Sequence, residues 1–460
     1  NANVLIWKAL GPHPEGAMIP GKFFQLMGVE APPEKGKNFI DQGEYLKNHL
    51  KIDPMSKEAD EFYRQVAQCA GKPWSSMQYP KVASWLKANE ESLAMVFEAT
   101  KRSHYFSPNV PPRSEKGPGG LIAVLLPGVQ KCRGLANLLV AQGMLCISQG
   151  KDDEAWQYLL ACHRFGRLVG RGATLIEVLV GFAIEGLAIR AELGFLGGGD
   201  LETKAIKSCL KDLEKLPPVP QLTDQVDLGQ RFIHLDLINM ADRYGVKYFN
   251  SLGGGDGKEP GLLEELGAEF ALNGIDWDPA FRSTNRMYDR LAVLTRTKER
   301  ASRQKQWGQI KADLEALKES IDSGESAKKI ASNIAGGKSS AKERGHAVGD
   351  ILVFLITPAV QKVQDSVDRT KQFNDNLRLA FALEWYRREH KSYPKKLDAL
   401  TPEYLKETPI DLFTGKPLIY RSFPSGYTLY SVGVNGEDDG GRGYDDDPRG
   451  DDIVIRMPLP

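Results

Sequence analysis

The run "TPAVQKVQDSVDRTKQFNDNLRLAFALEWYRREHKSYP" (357–394) decides the class of fold. Val360, Val363, Val367, Leu377, Ala380, Phe381 and Leu383 return mostly at three- and four-residue steps, the spacing of one helix face turned toward a core. Pro358 suits a first helical turn and Pro394 an end, so the spacing predicts one long helix between them. Three short runs follow, "PLIYRS", "GYTLYSVG" and "DIVIRM". Their β-branched and aromatic alternation between glycine turns predicts an antiparallel sheet on which the helix lies. Residues 351–460 thus read as a small α+β domain of ordinary size for one core.

Upstream the pattern is almost wholly helical. "GLANLLVAQGMLCISQGKDDEAWQYLLACHRFGRLV" (134–169) reads as two helices turned at "QGKDDE", with Asp152 or Asp153 capping the second. Small residues at Ala136, Gly143 and Ala155 allow the pair to approach closely, as in a tetratricopeptide unit. No second copy returns at a period of about 34 residues, so a regular solenoid is not predicted. Further helices are expected over 79–102, 173–196 and 224–252, and one extended helix from Asp278 to residue 321. The small, polar stretch that begins "DSGESAKKIASNIAGGKSSAKERG" reads as a linker. The expected organisation is a mixed helical and loop region at 1–120, a helical domain at 121–321, a linker at 322–350 and the α+β domain at 351–460. The predicted fold class is mainly α: an irregular helical-hairpin array, partly tetratricopeptide-like, followed by a small α+β domain with a long helix and an antiparallel sheet.

Sixty basic and sixty acidic side chains cancel over 460 residues, so no global field grips nucleic acid or an anionic membrane. Any electrostatic partner has to be recruited by a local patch. The five cysteines form no C-x-x-C pair and have no histidine at zinc-ligand spacing, which argues against structural zinc and for thiols packed in helices. Glu177 and Glu185 interrupt "TLIEVLVGFAIEGLAI" (174–189), and "ILVFLITPAV" (351–360) is short for a hydrocarbon core of about 30 Å. Both read as buried helices, with no membrane span in the chain. The opening "NANVLIWKAL" lacks an initiator Met, which leaves room for a removed signal or an N-terminal anchor.

The most charged stretch is "NGEDDGGRGYDDDPRGDD" (435–452), with eight carboxylates and five glycines in eighteen residues. Such a run cannot pack a core, so it either stays a solvated tail or gathers a cation. Calcium takes about six to eight hard oxygen ligands, and glycine-rich backbone lets carbonyls and carboxylates converge on it. Asn435, Glu437, Asp439 and Gly440 imitate the opening of an EF-hand loop, with Asp446 at its twelfth position. An EF-hand proper needs flanking helices, however, and strands are expected here.

The order of motifs, a long helix, then "SYPKKLDALTPEYLKETPIDLFTGKPLIY", "GYTLYSVGVNGEDDGG" and "DDI", resembles the soluble domain of the major pseudopilin of bacterial type II secretion systems and related pilin-like proteins. The resemblance covers residues 351–460. The apolar helix that leads a pilin has its nearest counterpart mid-chain, in "ILVFLITPAV", and Leu412 stands where many relatives have proline. The whole chain also resembles large uncharacterised bacterial proteins in which a helical region precedes a pilin-like end. The pseudopilin resemblance implies calcium held by Asn435, Asp438, Asp439, Asp451 and Asp452, with Ser431 and loop carbonyls as further candidates. With it comes the expectation of an extracytoplasmic place, periplasmic or at the cell surface, and of a protein partner such as a filament or envelope assembly.

The leading expectation is therefore a non-catalytic structural or protein-interaction protein. The alternative is an enzyme whose site lies in the helical region and uses Glu177, Glu185 or His234. Glu177 and Glu185 lie about 800° of helical rotation apart, within roughly 80° of one face. Two half-buried carboxylates can serve as general acid and base; the competing reading pairs them with Arg164, Arg167, Arg171 or Arg190. His163 and His234 stand inside helices with no His or Cys at ligand spacing and read as satisfied core or edge residues. "ASNIAGGKSS" has Ser332 at the place of a phosphate loop's first glycine and no strand before it, so it is not one. Arg282, Arg286 and Arg290, followed by Arg296, Arg300 and Arg303, form a basic stripe without interleaved aromatics. A solvated face, or one paired to Asp and Glu of adjacent helices, is expected there, with no nucleic-acid partner.

Overall fold

Fourteen α-helices and a three-stranded C-terminal sheet dominate the described residues of the computed structural model, which are 1–12, 19–33, 36, 38–111, 113–114, 117–118, 120–124, 126–198, 201–244, 274–322 and 340–459. The chain begins with α1 (Ala2–Leu10), α2 (Gly21–Met27), α3 (Gln42–Tyr45), α4 (Lys57–Cys69), α5 (Pro80–Ala88) and α6 (Glu90–Ala99). A short ladder of β1 (Arg113–Ser114) and β2 (Gly117–Pro118) precedes α7 (Pro127–Ser148), α8 (Asp152–Val169), α9 (Leu175–Gly198) and α10 (Thr203–Glu214). Then come α11 (Arg231–Tyr244), α12 (Asp278–Arg296), α13 (Arg300–Asp322) and the 50-residue α14 (Ala341–His390). The sheet has the order β3 (Ile419–Phe423), β4 (Gly426–Ser431), β5 (Ile453–Met457), with both pairings antiparallel. The mainly helical class with a small α+β end is thus the observed one.

The expected helical hairpin is α7 and α8, and a Cβ on Gly143 would fall 2.7 Å from Leu159 Cδ2, which is why a residue without one stands there. Helices α8 and α9 approach more closely still, since a Cβ on Gly181 would lie 2.5 Å from the Gly170 nitrogen. The second hairpin helix starts at Asp152, with no side-chain cap from either aspartate. Asp152, Asp153 and Glu154 occupy its first turn, where they face the positive end of the helix dipole.

Several expected helices differ from the observed ones for identifiable reasons. The run 79–102 is broken at buried Asn89, whose amide accepts from Ile40 N–H (2.8 Å) and donates to the Ile40 and Trp85 carbonyls. Over 224–252, a π-type segment at Gln225–Gln230 runs into α11, and residues beyond Tyr244 lie outside the described residues. The extended run from Asp278 divides at Thr297, where Arg303 Nη1 donates to the carbonyls of Thr297 (2.9 Å) and Lys298 (2.6 Å) and satisfies the end of α12. Pro358 does not start the long helix. A capping box of Ser340 and Glu343 starts it instead, and Pro358 sits inside, at the loss of one i→i−4 hydrogen bond. Of the expected linker at 322–350, residues 341–350 are therefore helical, while 323–339, with most of "ASNIAGGKSS", lie outside the described residues.

The expected segments do not each carry a core of their own. One apolar cluster runs from Ala2 to Met457 and takes in Leu377, Ala380, Phe381 and Leu383 of α14 together with Tyr427, Leu429, Ile455 and Met457 of the sheet. Leu429 pairs with Ile455 across the strands, so one face of the sheet meets one stripe of α14. A second cluster gathers Val360, Val363 and Val367 of α14 with Tyr288, Leu291 and Trp307. A third joins Val348 and Leu352 to Leu237 and Ile238 of α11. All five cysteines are buried and unpaired, as expected.

Where α13 crosses α14, Arg303 Nη2 holds both oxygens of Asp368 at 2.7 Å, and both side chains are buried. Replacing Arg303 by Met removes both short bonds to the buried carboxylate, leaves it only Arg300 at 3.5 Å and Gln364 at 3.3 Å, and should cost about 3 kcal/mol in urea unfolding; a loss below about 0.5 kcal/mol, the scale of an exposed pair, would contradict this role.

Candidate functional site

The acidic loop connects β4 to β5. Gly433 takes φ 74°, and a Cβ there would fall 2.1 Å from the Asp451 carbonyl oxygen, so only glycine lets the two arms of the loop close. A ring of hydrogen bonds then forms. Asn435 N–H donates to Asp451 Oδ2 (2.8 Å) and Asn435 Nδ2 to Asp439 Oδ2 (3.2 Å). The same Asp439 oxygen accepts from Asp451 N–H (2.7 Å), and Asp439 N–H donates to Asp452 Oδ1 (3.4 Å). Asn435, Asp439, Asp451 and Asp452 are thereby neighbours. Asp438 stands to the side, accepting from Tyr430 Oη (3.1 Å) and Gly440 N–H (2.8 Å). Ser431 is buried at the end of β4, where its Oγ accepts from Gly433 N–H at 3.4 Å.

Backbone N–H groups and arginines face these carboxylates. Arg369 of α14 pairs with Asp451, Arg456 of β5 donates to Asp446 (2.7 Å), and Arg442 lies 3.9 Å from Asp439. The Arg456 bond, helped by Gly443 N–H, holds the Asp446 carboxyl below the usual carboxylate range. Asp452 is only 4% exposed, and burial pushes its carboxyl up against the N–H groups of Gly441 and Asp439 that stabilise the anion. Among the described residues, no three Asp, Glu, His or Cys side chains converge as a metal cage. The donor chemistry nonetheless suits calcium. Every expected ligand offers oxygen, and a carboxylate that accepts one or two N–H bonds keeps free lone pairs.

The two glutamates of α9 do not form one site. Glu177 closes a capping box with Thr174, taking Thr174 N–H at 3.0 Å while its own N–H donates to Thr174 Oγ1 at 3.2 Å, and Tyr105 Oη donates to its second oxygen. Its expected arginine partner is not needed, because the backbone at the helix start fills that role. Glu185 does take an arginine, accepting from Arg167 Nε at 2.7 Å beneath α14. His234 bonds Tyr288 Oη, and burial lowers its pKa to about 4, which leaves the imidazole neutral. Among the described residues, Glu177, Glu185 and His234 share no hydrogen-bond partner, so the geometry assembles no acid–base pair from them there.

Sequence reading did not single out Glu192, Asn374 or Arg369. Glu192 and Asn374 complete a buried cluster with His163, Arg167 and Glu185. His163 Nδ1 lies 3.2 Å from both Glu192 oxygens, and its Nε2 lies 2.9 Å from Asn374 Oδ1, which also accepts from Arg167 Nη2. The signal was present: His163 and Arg167 lie four residues apart on one helix, and Glu185 and Glu192 seven apart on the next. The arginine stripe is largely paired, Arg282 to Asp278, Arg290 to Asp313, Arg296 to Asp227, and Arg300 and Arg303 to Asp368. One helix among the described residues, α14, is long and apolar enough over eighteen residues to cross a membrane, and half of that window is buried in the molecule. In comparisons with known proteins, no family model, curated protein or solved structure matches the chain.

Burial alone would lower the His163 imidazole, but Glu192 and Glu185 outweigh it and push it up to about 9. A group raised from 6.5 to about 9 on folding supplies stability that is whole below pH 6.5 and lost as pH rises through 9. Urea midpoints should fall across that window in the native chain and less so in His163→Gln; equal pH slopes would contradict a charged imidazole.

Proposed function

We propose that the chain is a non-catalytic structural or protein-interaction protein of an extracytoplasmic compartment, periplasmic or at the cell surface, whose pilin-like C-terminal end is stabilised by calcium. The observation that carries this reading is the hydrogen-bond ring of Asn435, Asp439, Asp451 and Asp452, which gathers oxygen donors from both arms of one loop. The loop stays electronegative: among the described residues its eight carboxylates are faced by the guanidiniums of Arg369, Arg442 and Arg456, while Arg449 lies over the Tyr444 ring. Asn435, Asp438, Asp439, Asp451 and Asp452 would hold the ion, which supplies positive charge where this excess lies and ties the foot of β5 to the arm that leaves β4.

The state of the helical carboxylates supports the non-catalytic side of the reading. Glu177 is spent on capping and Glu185 on a buried ion pair, so neither is poised to exchange a proton with a substrate. The pilin resemblance supports a partner that is itself a protein, in a filament or envelope assembly.

Calorimetric titration of the full chain with calcium should give a dissociation constant of about 0.1–1 mM, the range of extracellular calcium modules. At tenfold excess over that constant, unfolding should require about 1.4 kcal/mol more. The double variant Asp439→Asn with Asp452→Asn should lose both the heat and the stabilisation. Absence of both in the native chain would overturn the calcium reading.

A further inference from the structure

A cavity of about 330 Å³ lies between the end of α10, the proline-rich segment that follows it, and one face of α14. Leu213, Leu216, Pro218, Val219, Leu377 and Leu412 give it apolar walls. Its charged lining consists of Arg167, Lys371 and Arg378 against Glu214 and Asp375. These charges do not balance locally. Arg378 pairs with Asp375, Arg167 with Glu185 behind the wall, and Glu214 is exposed to water.

Lys371 is left over. It is half-buried, and among the described residues no hydrogen bond or ion pair reaches its ammonium, although Asp368 and Asp375 act on it from a distance. Burial, aided by the charge of Arg303, holds its pKa below the ordinary lysine value. An ammonium with three donors, partly withdrawn from water and given no acceptor, carries an uncompensated desolvation cost. Arg167, on the cavity floor, has donors to spare. Its Nε, Nη1 and Nη2 each make one bond, to Glu185, the Pro217 carbonyl and Asn374, which uses three of its five N–H groups.

We propose that this cavity binds a small monocarboxylate with an apolar body, its carboxylate accepting from Lys371 Nζ and the spare donors of Arg167, its body lying on the leucine and proline wall. A single negative charge matches the single unpaired cation, whereas a dianion such as phosphate would meet Asp375 and Glu214 and leave the apolar wall uncovered. The volume is that of a site for a small ligand.

Octanoate is the probe, with octan-1-ol as its neutral counterpart and inorganic phosphate as an anion without an apolar body, each titrated calorimetrically into the full chain. Octanoate should bind, and the other two should not. Lys371→Met should weaken octanoate by about 10- to 100-fold, the worth of one hydrogen bond to a charged group. Octanoate should also slow modification of Lys371 by an amine-reactive reagent, read by peptide mass spectrometry, without slowing that of exposed lysines. Lack of octanoate binding, octanol binding equally well, or unchanged affinity in Lys371→Met would overturn the proposal. Should that variant fail to fold, unprotected Lys371 in the octanoate-bound native chain would overturn it as well.

Discussion

A belt of polar side chains crosses the middle of α14, and all but Lys371 of those named here find a partner where the helix is covered. Asp368 takes Arg303 of α13. Gln372 accepts from Leu412 N–H and donates to Asn376, which in turn donates to the Ile453 carbonyl at the start of β5. Asn374 joins His163, Arg167 and Glu185 of α8 and α9, and Arg369 reaches Asp451 in the acidic loop. The apolar stretches on either side of the belt pack non-directionally and would tolerate a small slide. The belt would not, because a shift of one turn strands several buried polar groups together, at about 1–3 kcal/mol each.

The same belt sets the terms for the acidic loop. Arg369 and Gln372 both lie within it, and they fix the two segments that flank the sheet, one at Asp451 and one at Leu412. The N–H of Leu412 is the donor that Gln372 accepts. A proline at this position would have no such donor, so the belt requires a residue with a backbone N–H there. Asp411 beside it accepts from the N–H groups of Phe413, Thr414 and Val432, which draws the end of β4 to the same place. The loop is therefore held on one side by side-chain and backbone contacts to Arg369 of the long helix, while Glu437, Asp438, Asp445 and Asp447 are exposed.

Much of this was legible in the sequence, because burial leaves a periodic trace. Each apolar residue assigned to the face of the long helix, from Val360 to Leu383, is buried, and the three short runs are the three strands. Breaks were less legible. Asn89 ends a helix through a bond to Ile40, 49 residues away, and Arg303 ends another by folding back on it, so neither break has a local signature. Pro358 misled in the opposite direction, since a capping box that opens at Ser340, eighteen residues earlier, outweighs the lone proline. At the acidic loop the counter-ions were not legible, because Arg369 arrives from a helix that only the fold brings near. In the buried cluster, Glu192 and Asn374 were overlooked because a polar residue in an apolar run shows its need for a partner but not which partner it has.

If the belt welds the helical body, the long helix and the sheet into one unit, the three cannot unfold separately. Native-state hydrogen exchange, followed on α8 and α9, on the central turns of α14 and on β4 and β5, measures this directly. The account predicts that the slowest amides of all three regions converge on one opening free energy as urea is added. Strand amides that open about 2 kcal/mol or more below those of α8 and α9, and stay below them as urea rises, would contradict it.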